Sequence, residues 1–320
     1  MRNWEPQARG YWREEDEDKE SGSALFRALS ALDDLALLRA YLSGILPSDL
    51  ASEPGRELAA VGERHGWDTF RPGLEAVFAA TSAASLSRDA RLLETLCLAK
   101  AKKGLPELRS SLASRFVSSL VAIDGRPAAD DWNAPRINRA SLLARLGRGL
   151  AAAGLGGLLA EAVAHAFSLP KKYPLVEAHL AGLEKLRPWL GKRPEALGPL
   201  APWIDGVESR LVDLTVAMPT PPKDARRPAE VSGKSGEAQE LARFLADPVA
   251  AEHRVTANQS VRSDLEHMIR RDKLDLKTRT EERGRPYTLV CTKTASSYEA
   301  ALKKYHEDVR RLAEVRSLRG

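Results

Sequence analysis

The chain has 320 residues, of which 43% are hydrophobic, 29% charged and 6% aromatic, with a net charge of +5. That length accommodates one large domain or two ordinary ones, and the excess of Leu and Ala over β-branched residues favours helices. The polar, acidic N-terminus lacks the apolar stretch of a secretory leader, and no run reaches the about 18 apolar residues of a membrane span.

The most apolar segment, Leu150 to Ala166, is interrupted by Gly154, Gly156 and Gly157 and carries Glu161 and His165. Cys97 and Cys291, each flanked by apolar residues, predict buried free thiols in a reducing compartment rather than a disulfide framework. A cytoplasmic location without membrane contact is the expectation. From Arg254 to Gly320 there are 16 Lys/Arg and 10 Asp/Glu, so the tail carries +6 and the rest of the chain −1.

Residues 1–21, with the acidic run Glu14 to Asp18, are expected to form a flexible acidic segment. An all-helical domain is predicted over 22–217. Its first apolar pattern runs from Leu25 through Leu29, Leu32 and Ala36 to Ile45 and Leu46, where Pro47 stops it. Ser48 or Asp49 caps the next helical stretch. Helices are predicted over Arg56 to His65, closed by Gly66, and over Arg71 to Ala80. Another runs from Ser87-Arg88-Asp89 to about Lys103, ended by Gly104. Pro106 then opens a helix whose Leu108, Leu112, Phe116 and Leu120 share one face.

Ile123 to Arg136 reads as a loop. Two helices come next, from Ile137 to Leu169, hinged in the glycines at 154–157, and another pair covers Pro174 to Leu186 and Pro194 to Val216. Helix pairs in series predict an irregular or solenoid-like layer without a fixed repeat.

Met218 to Ser235 holds four prolines and a glycine and is expected to be a linker. A small α+β domain is predicted over 236–320. It begins with a helix from Gly236 to Leu245 and a short strand from His253 to Ala257. An amphipathic helix spans Gln259 to Lys273. Leu274 to Glu281 and Tyr287 to Thr294 alternate as the two strands of a β-hairpin around Arg283-Gly284-Arg285-Pro286. Ser296 or Ser297 is expected to cap the last helix. The α-β-α-β-β-α order resembles a winged helix with one helix missing.

Chemical motifs do not survive their context. Gly147-Arg148-Gly149-Leu150-Ala151-Ala152 fits G-x-G-x-x-A, but a helical segment precedes it where a dinucleotide site needs a strand, so helix packing is predicted. Gly233-Lys234-Ser235 lacks the leading glycine and strand of a phosphate loop. His306-Glu307-Asp308 is the one H-x-D and has no later histidine to complete an iron facial triad. None of the six histidines lies at zinc spacing. No catalytic, metal or cofactor residue is assigned. Arg270, Arg271, Lys273, Lys277, Arg279, Arg283, Arg285 and Lys293 are the candidate contacts for nucleic acid or an acidic partner. Asp272, Asp275, Glu281 and Glu282 are the neighbours that would neutralise them. Only Tyr287 stands nearby for base stacking, which argues against single strands.

GRPYTLVCTKTASSYEAALKKYHEDVRRL, residues 284–312, resembles the C-terminal end of large bacterial 2-oxoglutarate/Fe(II)-dependent oxygenases of the prolyl-hydroxylase-like type. AQELARFLADPVAAEHRV and HGWDTFRPGLEAVF are similar to upstream parts of the same proteins. ARGYWREEDED fits the edge at which an oxygenase domain ends. Oxygenase chemistry in that family uses an H-x-D, a distant His and an Arg in a β-sandwich, and none of these carries over. The resemblance therefore implies an accessory region without the catalytic domain. A protein partner, such as an oxygenase domain, is expected, with nucleic acid as the alternative and no cofactor in this chain.

Overall fold

The computed structural model describes residues 24–47, 55–100, 103–126, 137–227, 230–233 and 235–319. The acidic segment 1–21, the cap at Ser48 or Asp49, most of the loop before Arg136, and Lys234 lie outside them. Among the described residues the protein is mostly helical, with thirteen α-helices and one three-stranded antiparallel sheet near the C-terminus. It divides into two compact units. The first takes the described residues as far as Glu208 together with Ser317–Arg319, and the second is Ser209–Arg316.

The first unit opens with α1 (Ala24–Leu32) and α2 (Leu35–Ala40). The predicted single pattern from Leu25 to Leu46 breaks between them. Asp33 takes a positive φ of 56°, and the Asp34 carboxylate accepts from the N–H of Ala36 at 2.9 Å and of Leu37 at 3.1 Å. That cap starts a new helix, because it satisfies donors that a helix start leaves open. The last turn of α2 widens into a π-turn at Tyr41–Ile45. Asp33 is held from α3 (Gly55–His65) by Arg64 at 2.6 Å and His65 at 2.8 Å.

α4 (Arg71–Ala79), α5 (Leu86–Leu98) and α6 (Leu105–Asp124) come next. α5 stops at Leu98 rather than near Lys103, and Ala99 is extended with ψ 154°. The reason lies in α6: the buried Arg109 guanidinium donates to the carbonyl of Leu96 at 2.6 Å and to that of Ala99. A side chain thus takes the carbonyls that an ending helix leaves unsatisfied. Leu108, Leu112, Phe116 and Leu120 form the predicted inward stripe and are fully buried. Each contributes about 1.5–3 kcal/mol relative to exposure.

α7 (Arg139–Ala152) is packed against α5 and α9 (Ala181–Leu190), with α8 (Gly156–Ser168) beside it. Two glycines allow that crowding. A Cβ on Gly147 would stand 3.0 Å from both Leu186 and Trp203, and one on Gly149 would stand 3.1 Å from the Glu94 backbone. The Gly147-Arg148-Gly149 run therefore lies inside a helix and permits close helix contact, a packing role. α10 (Leu197–Thr215) completes the series, and the division between the two units falls within it.

The second unit contains α11 (Gly236–Ala246), β1 (Glu252–Thr256), α12 (Gln259–Arg271), β2 (Leu276–Glu281), β3 (Thr288–Lys293) and α13 (Ser296–Arg316). Ser235 and Asn258 cap α11 and α12 through the N–H of Ala238 and Val261. The hairpin β2–β3 forms as expected, and β1 joins it on the far side of β3, giving the order β1-β3-β2. Leu241, Phe244, Leu245, Leu265, Ile269, Leu289 and Cys291 make the core between the helices and one sheet face.

Two polar devices fix this unit. Lys273 has φ 51°, and the N–H of Leu274 returns to the carbonyl of Ile269 at 3.0 Å, closing α12 and turning Leu274 into the core. α13 is capped from outside: the Asp275 carboxylate, just before β2, accepts from the Ser297 N–H at 2.7 Å and from its hydroxyl. Ser297, one of the two serines predicted as the cap, is thus the donor to it, and the Ser296 hydroxyl pairs with that of Thr294. Ala225, Arg227 and Ser232 of the predicted linker bond to the same unit. Ala225 and Arg227 donate their N–H to the carbonyls of Pro248 and Leu245, and Ser232 donates to Asp272 at 2.8 Å.

Candidate functional site

The basic residues of the tail are separated by the fold into four places. On one sheet face, registry aligns Glu252–Thr292–Lys277, Arg254–Val290–Arg279 and Thr256–Thr288–Glu281 as three rungs. Lys277 and Arg279 share this face, as strand parity predicts. Glu281 accepts from Arg279 at 2.9 Å and from Arg254, which reaches it across β3. Val290, central on this face and flanked by the two arginines, is fully buried. Arginine stems of this length shield apolar surface while their heads stay in water.

At the C-terminal end of α12, Arg270 and Lys273 are exposed, whereas Arg271 is engaged. It donates to Asp272 at 2.9 Å and to the carbonyl of Ser232 at 2.7 Å. The Arg271 and Ser232 hydrogen bonds hold the Asp272 carboxyl well below the usual aspartate range. Arg283 and Arg285 stand exposed in the hairpin turn. Lys293 faces inward, on the same strand parity as Leu289 and Cys291. Its ammonium lies 4.5 Å from the centre of the Phe244 ring and donates to the Asp247 carbonyl at 2.6 Å. Burial lowers its pKa.

Of the eight candidates, then, Arg270, Lys273, Lys277, Arg283 and Arg285 have no partner among the described residues. Four residues of β2, Thr278 to Glu281, separate Lys277 from the turn, about 13 Å at strand rise. The five cations fall in three of these places rather than in one patch. Tyr287, the only aromatic near the turn, is covered by the Arg262 guanidinium at 5.3 Å.

The first unit holds polar constellations that sequence spacing did not reveal. Asp124, fully buried at the end of α6, accepts from Tyr173 at 2.6 Å and faces His165 at 3.2 Å and Arg139 at 2.8 Å. These residues come from three other segments. Burial, with the Asp124 hydrogen bond adding to it, pushes the Tyr173 phenol well above its ordinary pKa. Glu94 of α5 pairs with Arg145 at 3.1 Å and Arg148 at 3.0 Å of α7. Desolvation raises the Glu94 pKa in spite of both arginines. Arg88 joins Asp89 and donates to the Leu46 carbonyl at 2.7 Å. His179 accepts from the Trp203 indole at 3.1 Å and stacks on Phe167 at 4.1 Å.

Burial pushes the Cys97 thiol up to about 12 and the Cys291 thiol up to about 11, so both are held as inert thiols near neutral pH. His306 of the H-x-D is exposed, whereas Asp308 is buried and paired with Arg311 at 2.8 Å in the same helix. Among the described residues no cluster of three or more His, Cys, Asp or Glu is arranged to hold a metal. No described helix is long and apolar enough to cross a membrane. A cleft of ≈ 350 Å³ opens beside the π-turn, lined by Arg39, Leu42, Ser43, Asp68 and Phe70 among others. Comparison with family models, with curated proteins and with solved structures finds no match to the chain.

Proposed function

We propose that this protein is a non-catalytic interaction module that works beside a 2-oxoglutarate/Fe(II) oxygenase domain, packing against it or positioning its substrate. The observation that carries this reading is how the first unit uses buried charge. Glu94, Arg88, Arg109 and Asp124 each tie one helix to another segment or close a helix end, and Asp89 pairs with Arg88. None of them lines the cleft beside the π-turn. Buried charge used in this way supports a rigid scaffold that presents surface. The class of partner comes from the resemblance of residues 284–312 and of the two upstream segments. The cleft, of a volume within the usual range for binding sites, offers a place among the described residues for a partner's side chain. Titration calorimetry with a purified oxygenase domain of that type tests the reading. Binding is expected, weakened at least ten-fold by Ser43→Trp, which fills the cleft from its exposed rim. Absence of binding to the oxygenase would overturn the proposal.

The second reading, nucleic-acid contact, is favoured by Arg283 and Arg285, exposed together at the hairpin turn without partners. Fluorescence anisotropy with duplex and single-stranded probes tests it. Two phosphate contacts give a slope of about −2 in log K against log salt. Arg283→Glu with Arg285→Glu removes the binding. No binding at low salt excludes this reading.

A further inference from the structure

The edge of β1 is open, and its chemistry is complementary to itself. Lys293 donates its N–H to the carbonyl of Ala251, and Ala257 donates to that of Tyr287. Both are hydrogen-bonded pairs in the β1–β3 register, so the odd-numbered residues of β1 bond to β3. The N–H and C=O groups of Glu252, Arg254 and Thr256 therefore point away from the sheet, and among the described residues no backbone group meets them. All three residues are exposed. β1 contains neither a proline nor a bulge, two of the devices by which proteins close an edge. The opposite edge is less open. On β2 the Leu276 N–H is taken by the Leu274 carbonyl at 2.7 Å, and Arg262 reaches across to the Thr280 hydroxyl at 3.4 Å.

An added antiparallel strand must pair the outward residues with one another. Between two copies of β1, three central registers meet that condition. One sets Arg254 opposite Arg254, and directly opposed like charges are unfavourable. One sets Arg254 opposite Thr256. The third sets Glu252 opposite Arg254 twice, once on each side of a two-fold axis at His253. Both pairs then lie on the sheet face where Arg254 already meets Glu281, and each arginine is placed between two carboxylates. Charge on an edge strand usually prevents pairing. Here the opposite signs two residues apart select one register.

We propose that two copies of the chain associate through antiparallel pairing of β1 with β1, with Glu252 of each copy opposite Arg254 of the other. The result is a continuous six-stranded sheet in the order β2-β3-β1-β1-β3-β2. An isologous interface of this kind closes on itself and stops at the dimer. The inference goes beyond the oxygenase reading and is measured on the protein alone, so either stands or falls without the other.

A charge-swap experiment by sedimentation equilibrium tests it. The native chain is expected to form a concentration-dependent dimer. Glu252→Arg and Arg254→Glu, each alone, weaken association at least ten-fold, because every copy then opposes like charges. Mixed in equal amounts the two variants associate again. One copy then brings two cations to the interface and the other two carboxylates, so opposite charges face each other in both pairs. Far-UV circular dichroism of both variants confirms the fold, and recovery on mixing is a result misfolded chains would not give. A native monomer at every concentration overturns the proposal. So does a dimer unaffected by either variant, or one that mixing does not restore, as pairing through another surface or with an extended peptide alone would give.

Discussion

Glu94→Ala is the perturbation that reads the scaffold most clearly. The carboxylate sits between α5 and α7, 8% exposed, with Arg145 at 3.1 Å and Arg148 at 3.0 Å. Removing one member of a buried ionic group costs about 3–5 kcal/mol, because the remaining charge is left without compensation. Here the arginines keep 20% and 32% of their side chains exposed, so part of their charge turns toward water. The expected loss is accordingly near the lower bound, about 2–3 kcal/mol. The helix spacing does not relax to offset it, since Gly149 already brings α7 against the Glu94 backbone and the Cβ atoms of Glu94 and Cys97, which Glu94→Ala leaves in place. Urea unfolding followed by circular dichroism measures the change, with an unchanged slope as evidence that only stability moved. Glu94→Ala combined with Arg145→Ala is expected to cost less than the sum of the two singles. A loss below about 0.5 kcal/mol, the range of ordinary surface changes, would refute the claim that this triad binds α5 to α7.

Gly147→Val would drive methyl groups into Leu186 and Trp203. An overpacked core typically loses 1–3 kcal/mol, so a loss of about 3 kcal/mol in the same urea assay is expected. Asp275→Ala removes the cap of α13 and is expected to cost about 1–2 kcal/mol, with Ser297→Ala costing less, because Ser297 keeps its backbone N–H bond to Asp275. Acid unfolding separates the carboxylates by sign. Asp33 and Asp272 are depressed in the folded state, so their contribution is present above 3.8 and lost as pH falls through their folded values. Glu94 is raised above 4.5, so its protonation favours the folded state and that contribution is lost as pH rises through its folded value. Asp272→Asn should therefore be less stable than the native chain at pH 7, with the difference closing only well below pH 3.8 in equilibrium unfolding.

Local chemistry made much of the fold legible. Helix phase, Pro106 at a first turn, Gly66 after α3 and the alternation of β2 and β3 all depend on neighbours within a few residues. What depended on distant partners was hidden. The break at Asp33 needs Arg64 and His65 some thirty residues away, and the early end of α5 needs Arg109. β1 carries the right alternation, but nothing in it names β3 as its partner. The basic residues are clustered in sequence, and the fold distributes them. Strand parity alone places Lys293 with Leu289 and Cys291, a signal present in the sequence and outweighed by counting charges. Arg271 and Arg279 are engaged by the neighbouring acids Asp272 and Glu281. The group around Asp124 gathers four segments and leaves no spacing to recognise.

In the proposed function this chain supports an oxygenase and performs no chemistry itself. The direct measurement is 2-oxoglutarate turnover by a purified oxygenase domain of the resembling type, with its protein substrate, in the presence and absence of this chain. No turnover is expected from the chain alone, and a several-fold change in the oxygenase's KM for its substrate is expected when the chain is added. Turnover by the chain by itself, or an oxygenase whose rate and KM are indifferent to it, would rule out the proposed role.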